Sequence, residues 1–169
     1  MTKAFITFHP ADREYAAKFV DQFSDVVTAT LVGVSDHDDF IKDSREASYI
    51  EREIRQKYLT NTTVTIMLTG KCTWSQRFVD WEIAASLRKD ADRGRSALLG
   101  IRLPHLGSGP TTVPERFQDN LTAGYAVFKT YPTSSEDLRG WILQALERRD
   151  TVTPNNARQL RQKNDSCKG

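Results

Sequence analysis

Val64-Thr65-Ile66-Met67-Leu68-Thr69-Gly70-Lys71-Cys72-Thr73-Trp74-Ser75-Gln76-Arg77-Phe78-Val79-Asp80-Trp81-Glu82-Ile83-Ala84-Ala85-Ser86-Leu87 holds both halves of a strand–helix unit. Val64–Leu68 is β-branched and apolar over a strand's length, and Gly70 breaks it. Thr73 with Gln76 has the spacing of a capping box and predicts a helix running to about Arg93. On that helix Glu82 shares a stripe with Ser75, Phe78, Val79 and Ser86. Apolar residues surround the helix almost completely, so it should be buried, and a carboxylate on it needs partners or a cleft. From spacing alone the plainer reading of Glu82, a solvated or structurally paired acid, holds the advantage, since Glu is a common helix residue.

The same alternation extends in both directions. Ala4–Phe8, Ala29–Val34, Ala97–Arg102 and Tyr125–Phe128 join Val64–Leu68 as strands. Between them, Pro10 opens a helix to about residue 26 whose apolar positions are Ala16, Phe19, Val20 and Phe23. Ser48 with Glu51 opens a second helix to Tyr58, although Asp43 or Ser44 could start it earlier, and Thr133 with Glu136 opens a last one ending near Arg149. Strands alternating with helices specify an α/β fold, here a flavodoxin-like three-layer sandwich on a five-stranded parallel sheet of order 2-1-3-4-5. Two connections, Ser35–Asp43 and Pro104–Ala123, are long and rich in turn formers, and loops at the carboxyl ends of such strands build ligand sites.

The chain of 169 residues, 38% hydrophobic and 27% charged, suits one domain with a real core. Residues 150–169 carry four basic and two acidic groups, which leaves residues 1–149 formally neutral. A nucleic-acid binder would cluster Lys and Arg on one face, so nucleic acid is not an expected partner. No stretch has membrane-spanning length, and the amino terminus enters a strand without an apolar leader, so neither membrane nor export is expected. Cys72 and Cys167 make a poor disulfide framework, which points to the cytoplasm. After Arg149 only Val152 and Leu160 are sizeable apolar residues, and composition predicts a disordered tail over 150–169 behind a domain of residues 1–149.

Other candidates carry bland alternatives. Asp36, Asp38 and Asp39 with His37 could hold a divalent ion, but consecutive side chains diverge, and a solvated acidic loop is favoured; no metal is expected. His9 ends the first strand at the ligand rim, and equally could cap the helix that Pro10 opens. His105 has no partner in sequence. Cys72 lacks a base and reads as a small buried thiol. There is no Gly-x-Gly-x-x-Gly after the first strand and no Gly-x-x-x-x-Gly-Lys-Ser/Thr loop, which disfavours dinucleotide reduction and P-loop hydrolysis. Phe8-His9-Pro10 and Thr69-Gly70-Lys71 stand where a receiver domain would place its acids.

Several segments, in order, resemble the TIR-like family that includes the TIR proteins of bacterial Thoeris antiphage systems. They are Ala4–His9 with Asp12, Leu59–Gly70, and Arg77-Phe78-Val79-Asp80-Trp81-Glu82-Ile83, with Gly100-Ile101 in the expected fourth strand. The likeness covers about residues 3–130 and departs from the family pattern between Ser35 and Ser48. It implies Glu82 as catalytic carboxylate and Phe8, His9, Asp36, Arg77 and Phe78 as substrate-binding residues. It also implies NAD as substrate rather than cofactor, cleaved at the nicotinamide–ribose bond to ADP-ribose or a cyclic isomer, and a downstream effector that senses the product. The alternative is a TIR-like assembly module without turnover. Self-association is expected because a helix apolar all round and open sheet edges both invite a second copy.

Overall fold

A computed structural model describes residues 1–31 and 46–168. Five parallel strands form one sheet in the order β2-β1-β3-β4-β5: β1 (Thr2–Phe8), β2 (Val27–Leu31), β3 (Val64–Thr69), β4 (Ala97–Arg102) and β5 (Val127–Lys129). The α/β flavodoxin-like architecture read from the sequence is therefore the observed one. Register places Phe8, Leu68, Ile101 and Lys129 in one row, so the four strands that carry them reach the carboxyl edge together.

Alternation sorts the two faces. Ala4, Ile6, Phe8, Val64, Ile66, Leu68, Leu99 and Ile101 pack under α1 (Arg13–Gln22) and α5 (Ser135–Thr151), meeting Phe19, Leu138 and Ile142. The opposite face carries Phe5, Met67 and Leu98 and is covered by α2 (Ala47–Ile54), α3 (Arg77–Leu87) and α4 (Glu115–Thr122). Strands buried on both sides read as continuous apolar runs, as β3 and β4 do. Gly100 is required where it stands: a Cβ there would lie 2.6 Å from Phe117 Cζ and 2.7 Å from Phe128.

The elements depart from sequence expectation in identifiable places. Pro10–Asp12 form a separate 3-10 turn before α1. Ser48 does not cap α2, whose N-cap is Glu46 without a side-chain bond, and Arg55–Leu59 continue it as a π-helical segment. The third helix stops at Leu87, six residues short of the expected end, because Arg88 turns extended. The last helix is capped by Ser134, one residue later than expected, with its hydroxyl accepting from the Asp137 N–H at 3.1 Å. The expected long loop Pro104–Ala123 contains α4.

The largest correction concerns the C-terminal segment. Beyond Thr151 the chain is extended but docked rather than disordered. Asn155 and Asn120 exchange hydrogen bonds of 2.8 and 2.9 Å, and the Asn156 amide donates to Ala84 O. Arg158 pairs with Asp119 and Glu115, and Leu160 is buried among α2 and α3 residues. Cys167 closes a disulfide with Cys72, a pairing that their expected places in a strand end and a polar tail disfavoured. Polar side chains supply most of these anchors, which is why composition reads the segment as solvated. No helix among the described residues is long and apolar enough to cross a membrane.

Candidate functional site

The helix that carries Glu82 starts late. Thr73 uses its hydroxyl to accept the Gly70 N–H at 2.8 Å, and Ser75 Oγ donates to Cys72 O, so Thr73–Ser75 wind into a 3-10 turn. Gln76 then occupies the N-cap without a side-chain bond. One orphan donor of the first turn is satisfied from the far end of the chain: Arg77 N–H donates to Asn164 Oδ1 at 2.9 Å.

Every residue of α3 from Phe78 to Leu87 is buried. Val79 and Ile83 pack with Met67 and Leu98, while Phe78, Trp81 and Ala85 pack with Ile50 and Ile54 of α2. Ser86 is 2.6 Å from Thr65 Oγ1, which fixes the lower end of the helix on β3. Glu82 stands one turn nearer the carboxyl edge and is only 5% exposed. Thr7 and Thr69 lie, by strand alternation, on the same sheet face as Thr65 and Phe5. Both of their hydroxyls are buried without a hydrogen-bond partner among the described residues. Such groups are uncommon in folded proteins and mark places where a polar ligand can be taken up.

Asp80, two residues before Glu82, faces a different neighbourhood. It receives Arg116 Nε at 2.8 Å and Arg116 Nη2 at 3.3 Å, and the Arg161 N–H at 2.9 Å. Arg116 also donates to Asn156 Oδ1 and Gln159 O, and Trp81 Nε1 donates to Arg161 O at 2.8 Å. This buried pair joins α3, α4 and the tail. Sequence reasoning missed it, since nothing in the spacing of Asp80 and Arg116 connects them.

At the end of β1 the structure brings together Asp12, Gly70 and His105. Asp12 is 6% exposed and sits so close to Gly70 that a Cβ there would meet its carboxylate at 2.0 Å. His105 Nε2 lies 3.6 Å from Asp12 Oδ1, and its ring stacks on Tyr15 at 4.1 Å. Burial pushes the Asp12 carboxyl above its ordinary pKa, against the opposing pull of His105 and His9. His105 thus gains the partner that sequence did not offer it.

His9 takes the capping role: Nδ1 accepts the Ala11 N–H at 3.0 Å. Burial holds its imidazole below the ordinary value of 6.5, with Asp12 pulling the other way. Protonation at Nδ1 would also remove the cap. The unfolded chain therefore takes up this proton first, so the stability from His9 is complete above its unfolded pKa. It is lost as pH falls below that value through the lower folded one. His9→Asn retains a capping oxygen and does not titrate. Its melting temperature should fall less than the parent's between about pH 7.5 and pH 5, and equal slopes would remove His9 as a source of acid sensitivity.

The remaining expected site residues divide. Phe8 is buried under α1, with the Arg13 guanidinium 5.9 Å from its ring centroid. Phe78 sits one turn from Glu82 on the same flank of α3 and packs edge-on against Trp81 at 5.3 Å. Arg77 is drawn to the tail instead, donating to Gln162 O at 3.3 Å while lying over the Phe78 and Trp81 rings. The structure thus brings Phe78 and Glu82 together and places Arg77 in a docking contact. Asp36 and its acidic neighbours lie outside the described residues. Among the described residues no three His, Cys, Asp or Glu side chains gather as a metal ion would need.

Among curated proteins nothing matches the chain. A family model, that of the Thoeris protein ThsB TIR-like domain, matches residues 5–108. That span includes Phe5–Phe8 of β1, all of α3 with Glu82, and the Asp12–His105 contact, and it covers more than half of the sequence. The chain belongs to the Thoeris ThsB TIR-like family.

Proposed function

We propose that this domain cleaves NAD at the nicotinamide–ribose bond in antiphage signalling, with Glu82 as the carboxylate at the reacting centre. The observation that carries the reading is the placement of Glu82: a carboxylate buried on the helix after the central strand, on the flank that also holds Phe78. The helix after the central strand begins at the carboxyl edge of the sheet, where open α/β folds place their ligands.

Departure of nicotinamide from NAD leaves positive charge on the ribose carbon and ring oxygen. A fixed carboxylate in a site of low dielectric stabilises that charge as it develops. The unpartnered hydroxyls of Thr7 and Thr69 are suited to hydrogen bonds with ribose hydroxyls. Water adding to the sugar gives ADP-ribose and a proton, whereas capture by a nucleophile of the same molecule gives a cyclic isomer that a downstream effector could sense.

Incubation of the full chain with NAD, followed by chromatography, tests the reading. Free nicotinamide with ADP-ribose or a cyclic isomer is the expected result. Unchanged NAD, with and without phage-infected cell extract to supply a trigger, would leave the non-catalytic assembly module as the function.

A further inference from the structure

A cavity of about 670 Å³ opens at the carboxyl edge between β3 and β4, and none of Phe8, His9, Arg77, Phe78 or Glu82 lines it. Its ionisable lining groups are Lys71, Arg102, His105 and Lys168, with Trp74 as the aromatic member and no Asp or Glu among them. The Arg102 guanidinium is spent on neutral oxygens: it donates to Thr111 Oγ1 at 2.6 Å and to the carbonyls of Leu106, Gly107 and Gly109. Its positive charge is therefore not cancelled. Lys71 and Lys168 make no ion pair among the described residues. Of the described carboxylates near it, Asp12 contacts His105 and Asp165 pairs with Arg161.

The wall is built rather than incidental. Ser166, Cys167 and Lys168 reach the cavity because the Cys72–Cys167 disulfide and the Asp165 N–H bond to Ser75 O, 2.9 Å long, hold them at the start of α3. Lys168 is thereby brought to the same cavity as Lys71.

We propose that this cavity binds a nucleoside diphosphate or a nucleotide of that class, at a site separate from Glu82. Two lysines and an uncancelled arginine suit a pyrophosphate, for which Lys acts as a point charge. Trp74 offers a ring on which a base can stack. The volume lies in the range of small-ligand sites.

Calorimetric titration of the full, oxidised chain with ADP, pyrophosphate and adenosine tests this independently of NAD cleavage. ADP should bind more tightly than either half alone. Lys71→Ala combined with Lys168→Ala, both on the surface and harmless to folding, should weaken ADP by about tenfold or more, the scale of losing charge-assisted contacts. Trp74→Ala should weaken ADP and spare pyrophosphate. Cys72→Ser with Cys167→Ser, which frees the wall, should weaken ADP while the melting curve reports that the domain stays folded. The proposal is overturned if ADP does not bind, if pyrophosphate binds as tightly as ADP, or if the lysine variant binds normally.

Discussion

Glu82→Gln is expected to keep the melting temperature of the parent chain and to lose NAD turnover by about a hundredfold or more, the size typical of removing one group that stabilises developing charge. Gln is nearly isosteric and remains helix-compatible, so the packing of α3 between β3, α2 and the tail is preserved. The charge is what disappears. If Glu82 acts mainly as the glycosidic bond breaks, substrate affinity should survive better than turnover. A structural Glu82 predicts the reverse, a lowered melting temperature with activity persisting in the folded fraction. Melting and nicotinamide release measured on one preparation separate the two, and a well-folded Glu82→Gln that still releases nicotinamide removes this residue from the mechanism.

Arg116→Met should be the most damaging of the substitutions considered for stability, at about 3–5 kcal/mol, because it strands the Asp80 carboxylate in the interior. Both partners are essentially inaccessible, with side chains 1% and 2% exposed. A loss of that size is a large part of the total stability of an ordinary domain. Arg116 also holds Asn156 and Gln159, so the variant should release the tail as well. Urea unfolding gives the energy, and limited proteolysis between Val152 and Lys168 reports the release. A loss below about 1 kcal/mol, the scale of a surface ion pair, would show that Asp80 finds water or another donor when Arg116 is gone.

The strands were the most legible part of the fold. Val64–Leu68 and Ala97–Arg102 are continuous apolar runs because helices cover both faces, and their limits in the structure agree to within a residue. Helix α4 was not legible, since its inward positions include Arg116 and Asn120, polar side chains buried only because the tail supplies partners. The tail was misread for the complementary reason. Asn155, Asn156, Arg158 and Arg161 have the composition of a solvated segment, and their partners lie 35 to 87 residues away. Of the site, Glu82 could be singled out by its helix and by family resemblance, while Asp12 and His105 meet only through folding. The apolar circumference of α3 suggested a second copy as cover; within the chain, α2, α4 and the tail already provide much of that cover.

The docked tail also bears on the order in which the molecule can be completed. The anchors of the tail follow β1 through α5 in the chain, and a state without the docked tail leaves the Trp81 side of α3 uncovered and the Asp80–Arg116 pair only partly enclosed. Closing contacts across as many as 95 residues is entropically costly and slow compared with local helix formation. Whenever the tail is undocked, the buried charge pair is hydrated and an aromatic strip is open to chaperones or to a neighbouring copy, and docking of the tail closes both at once.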